Sequence, residues 1–125
     1  MSVLSRPPRV LLGNLEPMTR VGMRTWLADG GIDIVGEVDD PAAIVAESRR
    51  LAPDAVVLGL EDGAGRTLGE QVRGAAPEVT VILWARDETE MEVFEPGSAA
   101  PRRVATAVPH ALLRELNVST TTERV

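Results

Sequence analysis

The chain contains no cysteine and no lysine; all 13 of its basic residues are Arg. Without cysteine there can be no disulfide, no thiolate nucleophile and none of the usual structural zinc sites. Without lysine, Schiff-base and lysine general-base chemistry are excluded. The single histidine, His110, cannot build a multi-histidine metal site. No apolar run approaches the roughly 20 residues that cross a bilayer, and no signal-peptide pattern opens the chain, so a cytoplasmic protein without a membrane segment is expected. The stretch Gly13-Asn14-Leu15-Glu16-Pro17 lacks a phosphate-binding glycine fingerprint. No Gly-x-Ser-x-Gly elbow occurs, and no nucleophile–base pair is suggested. These absences point away from an enzyme and from any cofactor or bound metal.

What is present suits one folded domain. The 125 residues are 44% hydrophobic and 26% charged, enough to bury a core. The formal net charge of −6 argues against this chain holding a nucleic-acid backbone by itself. Residues 1–8, with two serines and two prolines, read as a flexible leader. Arg9-Val10-Leu11-Leu12 suits a short buried strand. From Met18 to Asp29 the pattern is helical, with Met23, Trp26 and Leu27 on one stripe, and Gly30-Gly31 ends it. Trp26 is therefore expected in the core.

A second strand spans residues 32–38. Asp40-Pro41 supplies an N-cap with proline at the first helical position, and a helix to about Leu51 follows. Residues 55–60 are the most apolar strand, of the kind buried on both faces. A helix over 66–76 and a strand over 79–84 come next. The acidic stretch Asp87–Glu95 reads as a turn or two of helix. Residues 102–108 suggest a fifth strand, 109–116 a last helix, and 117–125 a polar tail or linker start.

This alternation implies an α/β fold: a doubly wound, five-stranded, mainly parallel sheet with helices on both faces, spanning residues 9–116. Ligands and chemistry in such sheets collect beyond the carboxyl ends of the strands. That rim holds the loops after Leu12, Leu60, Trp84 and Val104.

The segments Arg9-Val-Leu-Leu with Pro17 and Gly22-Met23, Ile34-Val-Gly-Glu37, Arg50-Leu-Ala-Pro-Asp-Ala-Val-Val-Leu58, and Ala76-Pro77 with Val79–Ala85 carry a family resemblance. Together they make the chain similar to a response-regulator receiver domain of the type fused to helix-turn-helix transcription regulators, with a flavodoxin-like fold. The resemblance implies phosphoryl transfer to an aspartate on the third strand, an acidic pair after the first strand that holds Mg²⁺, a hydroxyl residue ending the fourth strand and a Lys ending the fifth. Here Gly59 stands at the phosphoacceptor position, Asn14 and Leu15 at the acidic pair, and Trp84 at the hydroxyl position. The segment matching the family's fourth helix is also shorter than usual. The resemblance is thus to a pseudo-receiver, with the fold kept and the phosphorelay pocket lost.

Several residues admit more than one role. Glu16, Glu61 and Asp62 are expected to be solvated loop carboxylates, with a relocated cation site as the alternative. Trp84 is expected to plug the lost pocket; contact with a partner or stacking on a planar ligand are the other roles. Phe94, Arg102 and Arg103 mark a candidate partner surface, where the arginines would meet the acidic stretch of a second copy; a solvated charged face is the plainer reading. His110 is expected at the surface. The function expected is a non-enzymatic, phosphorylation-independent signalling or transcription-regulatory module that acts through protein–protein contact with a partner or as a homodimer. The alternative is an atypical receiver that senses a small molecule at the degenerate pocket. DNA contact would need a domain not present in this chain. The Arg-, Ala- and Gly-rich composition without Lys fits a GC-rich bacterial genome.

Overall fold

The computed structural model describes residues 7–59, 65–84, 90–98 and 100–105. The elements are β1 (Arg9–Gly13), α1 (Pro17–Asp29), β2 (Asp33–Val38), α2 (Pro41–Leu51), β3 (Ala55–Gly59), α3 (Gly65–Ala75), β4 (Thr80–Trp84), β5 (Glu90–Phe94) and β6 (Arg102–Ala105). They form one sheet in the order β2-β1-β3-β4-β5-β6. β1 pairs in parallel with β2 and β3, and β3 with β4. β5 and β6 continue the sheet antiparallel.

The central strands are apolar through Val10–Leu12, Ala55–Gly59 and Val81–Trp84 because both of their faces are covered. Val10, Leu12, Ala55, Val57, Ile82 and Trp84 point to one face, where they pack with Met23 and Leu27 of α1. Leu11, Val56, Leu58, Val81 and Leu83 point to the other, against Ile44 of α2 and Leu68 and Val72 of α3. The chain reverses direction along the sheet between β1 and β3, so the crevice at their carboxyl ends is the switch point of the fold.

Local sequence sets the helix boundaries. The Asp40 carboxylate accepts the Ala43 N–H at 3.0 Å and Pro41 opens α2, as its spacing predicts. At the end of α1, Gly31 takes φ +81° and the Ile32 N–H returns to the Leu27 carbonyl at 2.8 Å. α2 ends instead on Ala52, left-handed at φ 45° without being glycine. The Arg9 guanidinium holds that turn by donating to the Leu51 and Ala52 carbonyls at 3.0 and 3.2 Å.

The α/β architecture with helices on both faces matches the sequence reading, but the strand count does not. Among the described residues the sheet has six strands, because the acidic stretch read as helix contributes β5. As a helix it would stack Glu88 and Glu92 one turn apart, a repulsive spacing. As a strand, its period-two pattern sends Met91 and Val93 to the α1 side and Phe94 to the α3 side. Glu92 then meets Arg66 of α3 at 2.6 Å. β5 also satisfies the backbone groups along the open edge of β4. The strand expected over 102–108 is present as β6, next to β5 and two strands away from β4. Its residues 106–108, the leader's residues 1–6, the loop acids Glu61 and Asp62, the last helix at 109–116, His110 and the tail at 117–125 lie outside the described residues.

Trp26 also departs from the core position its spacing suggests. Met23 and Leu27 are fully buried, whereas Trp26, at the margin of the same stripe, is 38% exposed.

Candidate functional site

The carboxyl ends of β1, β3 and β4 bring together Asn14, Leu15, Gly59 and Trp84, the four residues singled out from the sequence. β1 ends at Gly13, where α2 packs so closely that a Cβ would lie 2.7 Å from Ile44 Cδ1. Asn14 then takes a left-handed conformation, φ 55°, which Asn tolerates better than most residues. In that turn its backbone N–H donates to the Val38 carbonyl at 3.3 Å, and its side-chain Nδ2 donates to the Gly59 carbonyl at 3.3 Å. One residue thus ties the ends of β2 and β3 to the end of β1.

Leu15 turns inward and is 5% exposed within the α1-side core, and Trp84 joins the same cluster at 7% exposed. Gly59 is the register partner of Trp84 across β3 and β4. The Trp84 ring meets Trp26 edge to face, with centroids 6.4 Å apart and planes at 65°. The described carboxylates near this rim have partners of their own. Thr19 Oγ1 donates to Glu16 at 3.4 Å, Asp39 pairs with Arg20 at 2.6 Å, and Asp40 caps α2. Among the described residues no three His, Cys, Asp or Glu side chains converge as a metal site.

The residues proposed from sequence as a partner surface sit on β5 and β6. Phe94 is half-buried against the α3-side core, with the Arg73 guanidinium 5.0 Å above its ring. Arg73 also donates to the Ser98 carbonyl. Arg102 reaches Glu95 at 2.7 Å, so part of the attraction expected between two copies is met inside one. Arg103 is the register partner of Glu92; its side chain lies outside the described residues.

The sequence reading passed over the outer surface of α1. Arg24 makes a bidentate pair with Glu37, both bonds at 2.9 Å, and Arg20 approaches Glu37 and Asp39, which locks α1 to β2. Hydrogen bonding to Glu37, more than its charge alone, raises the Arg24 pKa. Beside this lattice Met18 and Val21 stand exposed with Trp26. Their i, i+3, i+8 spacing was a legible second apolar stripe, next to the one that faces the sheet.

No protein-family model matches the chain. Among solved structures, the signal receiver domain of the response regulator NarL from Mycobacterium tuberculosis is 28% identical, with a TM-score of 0.56 over 66% of this chain and 69% of that one. A two-component response regulator of the LuxR family from Aurantimonas sp. SI85-9A1 is 22% identical, with a TM-score of 0.59 over 66% of this chain and 61% of that one. The fold is that of a response-regulator receiver domain. A mutant of the anti-anti-sigma factor PhyR from Bartonella quintana shares it over 97% of this chain and 52% of its own, with a TM-score of 0.69 at 11% identity. A curated relative, the protein-glutamate methylesterase/protein-glutamine glutaminase 5 of Anaeromyxobacter dehalogenans (strain 2CP-C), is 40% identical over 58 residues. That match takes in 46% of this chain and spans only 16% of the relative's length. Among the described residues, no helix of this receiver fold is long and apolar enough to cross a membrane.

Magnesium takes hard oxygen ligands, chiefly carboxylates. Asn14, Leu15, Gly59 and Trp84 do not fit such an ion. The Asn14 side chain donates its N–H to Gly59, Leu15 is buried in the core, Gly59 has no side chain, and the indole occupies the end of β4.

Proposed function

We propose that this receiver fold serves as a signalling and transcription-regulatory module that works by protein contact, without phosphoryl chemistry and without catalysis of its own. The observation that carries the reading is the rim: an amide bonded to the neighbouring strand, a glycine at the acceptor position and a core tryptophan where the family places a hydroxyl. The resemblance to NarL and to a LuxR-family regulator supports the regulatory setting. The net charge of −6 supports assigning any DNA contact to a different domain.

The test is incubation with acetyl phosphate or beryllofluoride and Mg²⁺, read by intact mass and by amide chemical shifts. The expected result is an unchanged mass and an unchanged spectrum. A phosphoryl adduct on an aspartate, or shifts centred on Asn14 and Gly59, would overturn the proposal.

A further inference from the structure

We propose that the cleft at the amino end of the sheet binds a free α-amino acid, a small zwitterion whose ammonium group faces the inner wall and whose carboxylate meets Arg49. This goes beyond the protein-contact reading and stands independently of it. The cleft lies at the opposite end of the strands from Asn14 and Gly59, between the C-terminal ends of α2 and α3.

Local sequence opens this space. Pro53 and Pro77 each stand two residues beyond the end of a helix, and proline cannot continue one. Ala52, Ala75 and Ala76 are too small to fill the gap between the two helix ends. The result is a cleft of about 270 Å³. That lies just below the roughly 300–1,000 Å³ of pockets for drug-sized ligands, which suits a molecule of amino-acid size.

Among the described residues the polar lining is almost all acceptor. Asp54 is 7% exposed, and its carboxylate accepts the Arg9 N–H at 2.8 Å. The Ser48 hydroxyl donates to the Ile44 carbonyl at 2.7 Å, so toward the cleft it can only accept. Glu78 adds an exposed carboxylate at the mouth. The prolines have no N–H, and the N–H groups of Ala52, Asp54, Ala76 and Val79 are already bonded to carbonyls.

The helices add to this bias, because α2 and α3 both bring the negative ends of their dipoles here. Arg9 offsets the end of α2 by donating to the Leu51 and Ala52 carbonyls. Arg73, the basic residue in the last turn of α3, turns instead to Phe94 and Ser98. An ammonium group in the cleft complements the α3 end.

One side-chain donor stands against this set. Arg49 is exposed at the mouth, and among the described residues neither its side chain nor that of Glu78 has an ion pair or hydrogen bond. Two opposite charges thus line one cleft without pairing to each other. A ligand that carries both charges satisfies each at once, with its carboxylate on the fork of the guanidinium and its ammonium among the acceptors. An amine alone leaves Arg49 unmatched, and a carboxylate alone faces a wall of acceptors.

The test is an amide chemical-shift titration of the full chain with each common L-amino acid in turn, beside propylamine and propionate as single-charge probes. One or more amino acids should give saturable shifts confined to residues 48–54 and 75–79, with a dissociation constant of about 1 mM or below. Arg49→Gln and Glu78→Gln, both at exposed positions, should each weaken that binding about tenfold or more, with circular dichroism unchanged. Propylamine and propionate should bind the wild-type chain no better than the amino acid binds these variants.

The absence of a saturable shift from every amino acid at about 10 mM overturns the proposal. Binding indifferent to either substitution overturns it as well, and so does propylamine binding as tightly as the amino acid, which would mark a site for cations alone. Shifts centred on Asn14 and Gly59 would move the ligand to the carboxyl rim and overturn the assignment to this cleft. Acetyl phosphate reports on that rim alone, so either proposal can fail while the other stands.

Discussion

Trp84→Ala tests whether the indole is a structural plug at the end of β4. The side chain is 7% exposed within the α1-side core. A buried aromatic of about 250 Å², at about 25 cal/mol per Å², sets an upper bound near 6 kcal/mol. Measured aromatic-to-alanine truncations in cores cost about 3–5 kcal/mol, because the site partly collapses. Collapse is easier here than in the middle of the sheet, since the half-exposed Trp26 ring lies 6.4 Å away and can settle into part of the space. The expected loss is therefore about 3 kcal/mol, read as a lower midpoint in urea at unchanged slope. Trp26 is then the sole fluorophore, and its emission should report the rearrangement. A loss below about 1 kcal/mol would refute the packing argument and reopen Trp84 as a ligand platform. Tryptophan emission of the wild-type chain should stay constant across a panel of small metabolites; a saturable change abolished by Trp84→Ala would favour the sensing alternative.

Two further substitutions probe the frame that holds the rim. Asp40→Ala removes the cap on the Ala43 N–H and should cost about 0.5–2 kcal/mol by urea unfolding, with Asp40→Asn close to wild type. The Glu47 carboxylate is held below the ordinary carboxylate range chiefly by its hydrogen bond from Arg50, which outweighs the opposing effect of burial, with the charge of that guanidinium adding to the depression. Its folded pKa lies below the unfolded one, so the contribution of the pair is present above the unfolded value and is lost as pH falls through the folded value. An NMR titration of the Glu47 side chain should show this depression, and Arg50→Ala should return it to the ordinary range.

Sequence alone determined the parts governed by short-range rules. Continuous apolar runs identified β1, β3 and β4, because a strand covered on both faces has no polar side. Asp40-Pro41 and Gly30-Gly31 placed the ends of α2 and α1, because caps satisfy backbone groups within a few residues. Residue types at positions 14, 15, 59 and 84 were enough to raise the proposal of a lost phosphorelay pocket, since none of the four is a carboxylate or a hydroxyl.

Tertiary structure decided the rest. Glu90–Phe94 became a strand because the open edge of β4 and the guanidinium of Arg66 were there to receive it, and neither is local in sequence. Trp26 sits at the margin of the core, 38% exposed with its ring edge to face against Trp84, a neighbour 58 residues away in sequence that only β4 brings to α1. Asn14 and Gly59, 45 residues apart, bond to each other only because β1 and β3 are neighbours. Met18 and Val21 face solvent because the sheet buries Met23 and Leu27 on another side of α1.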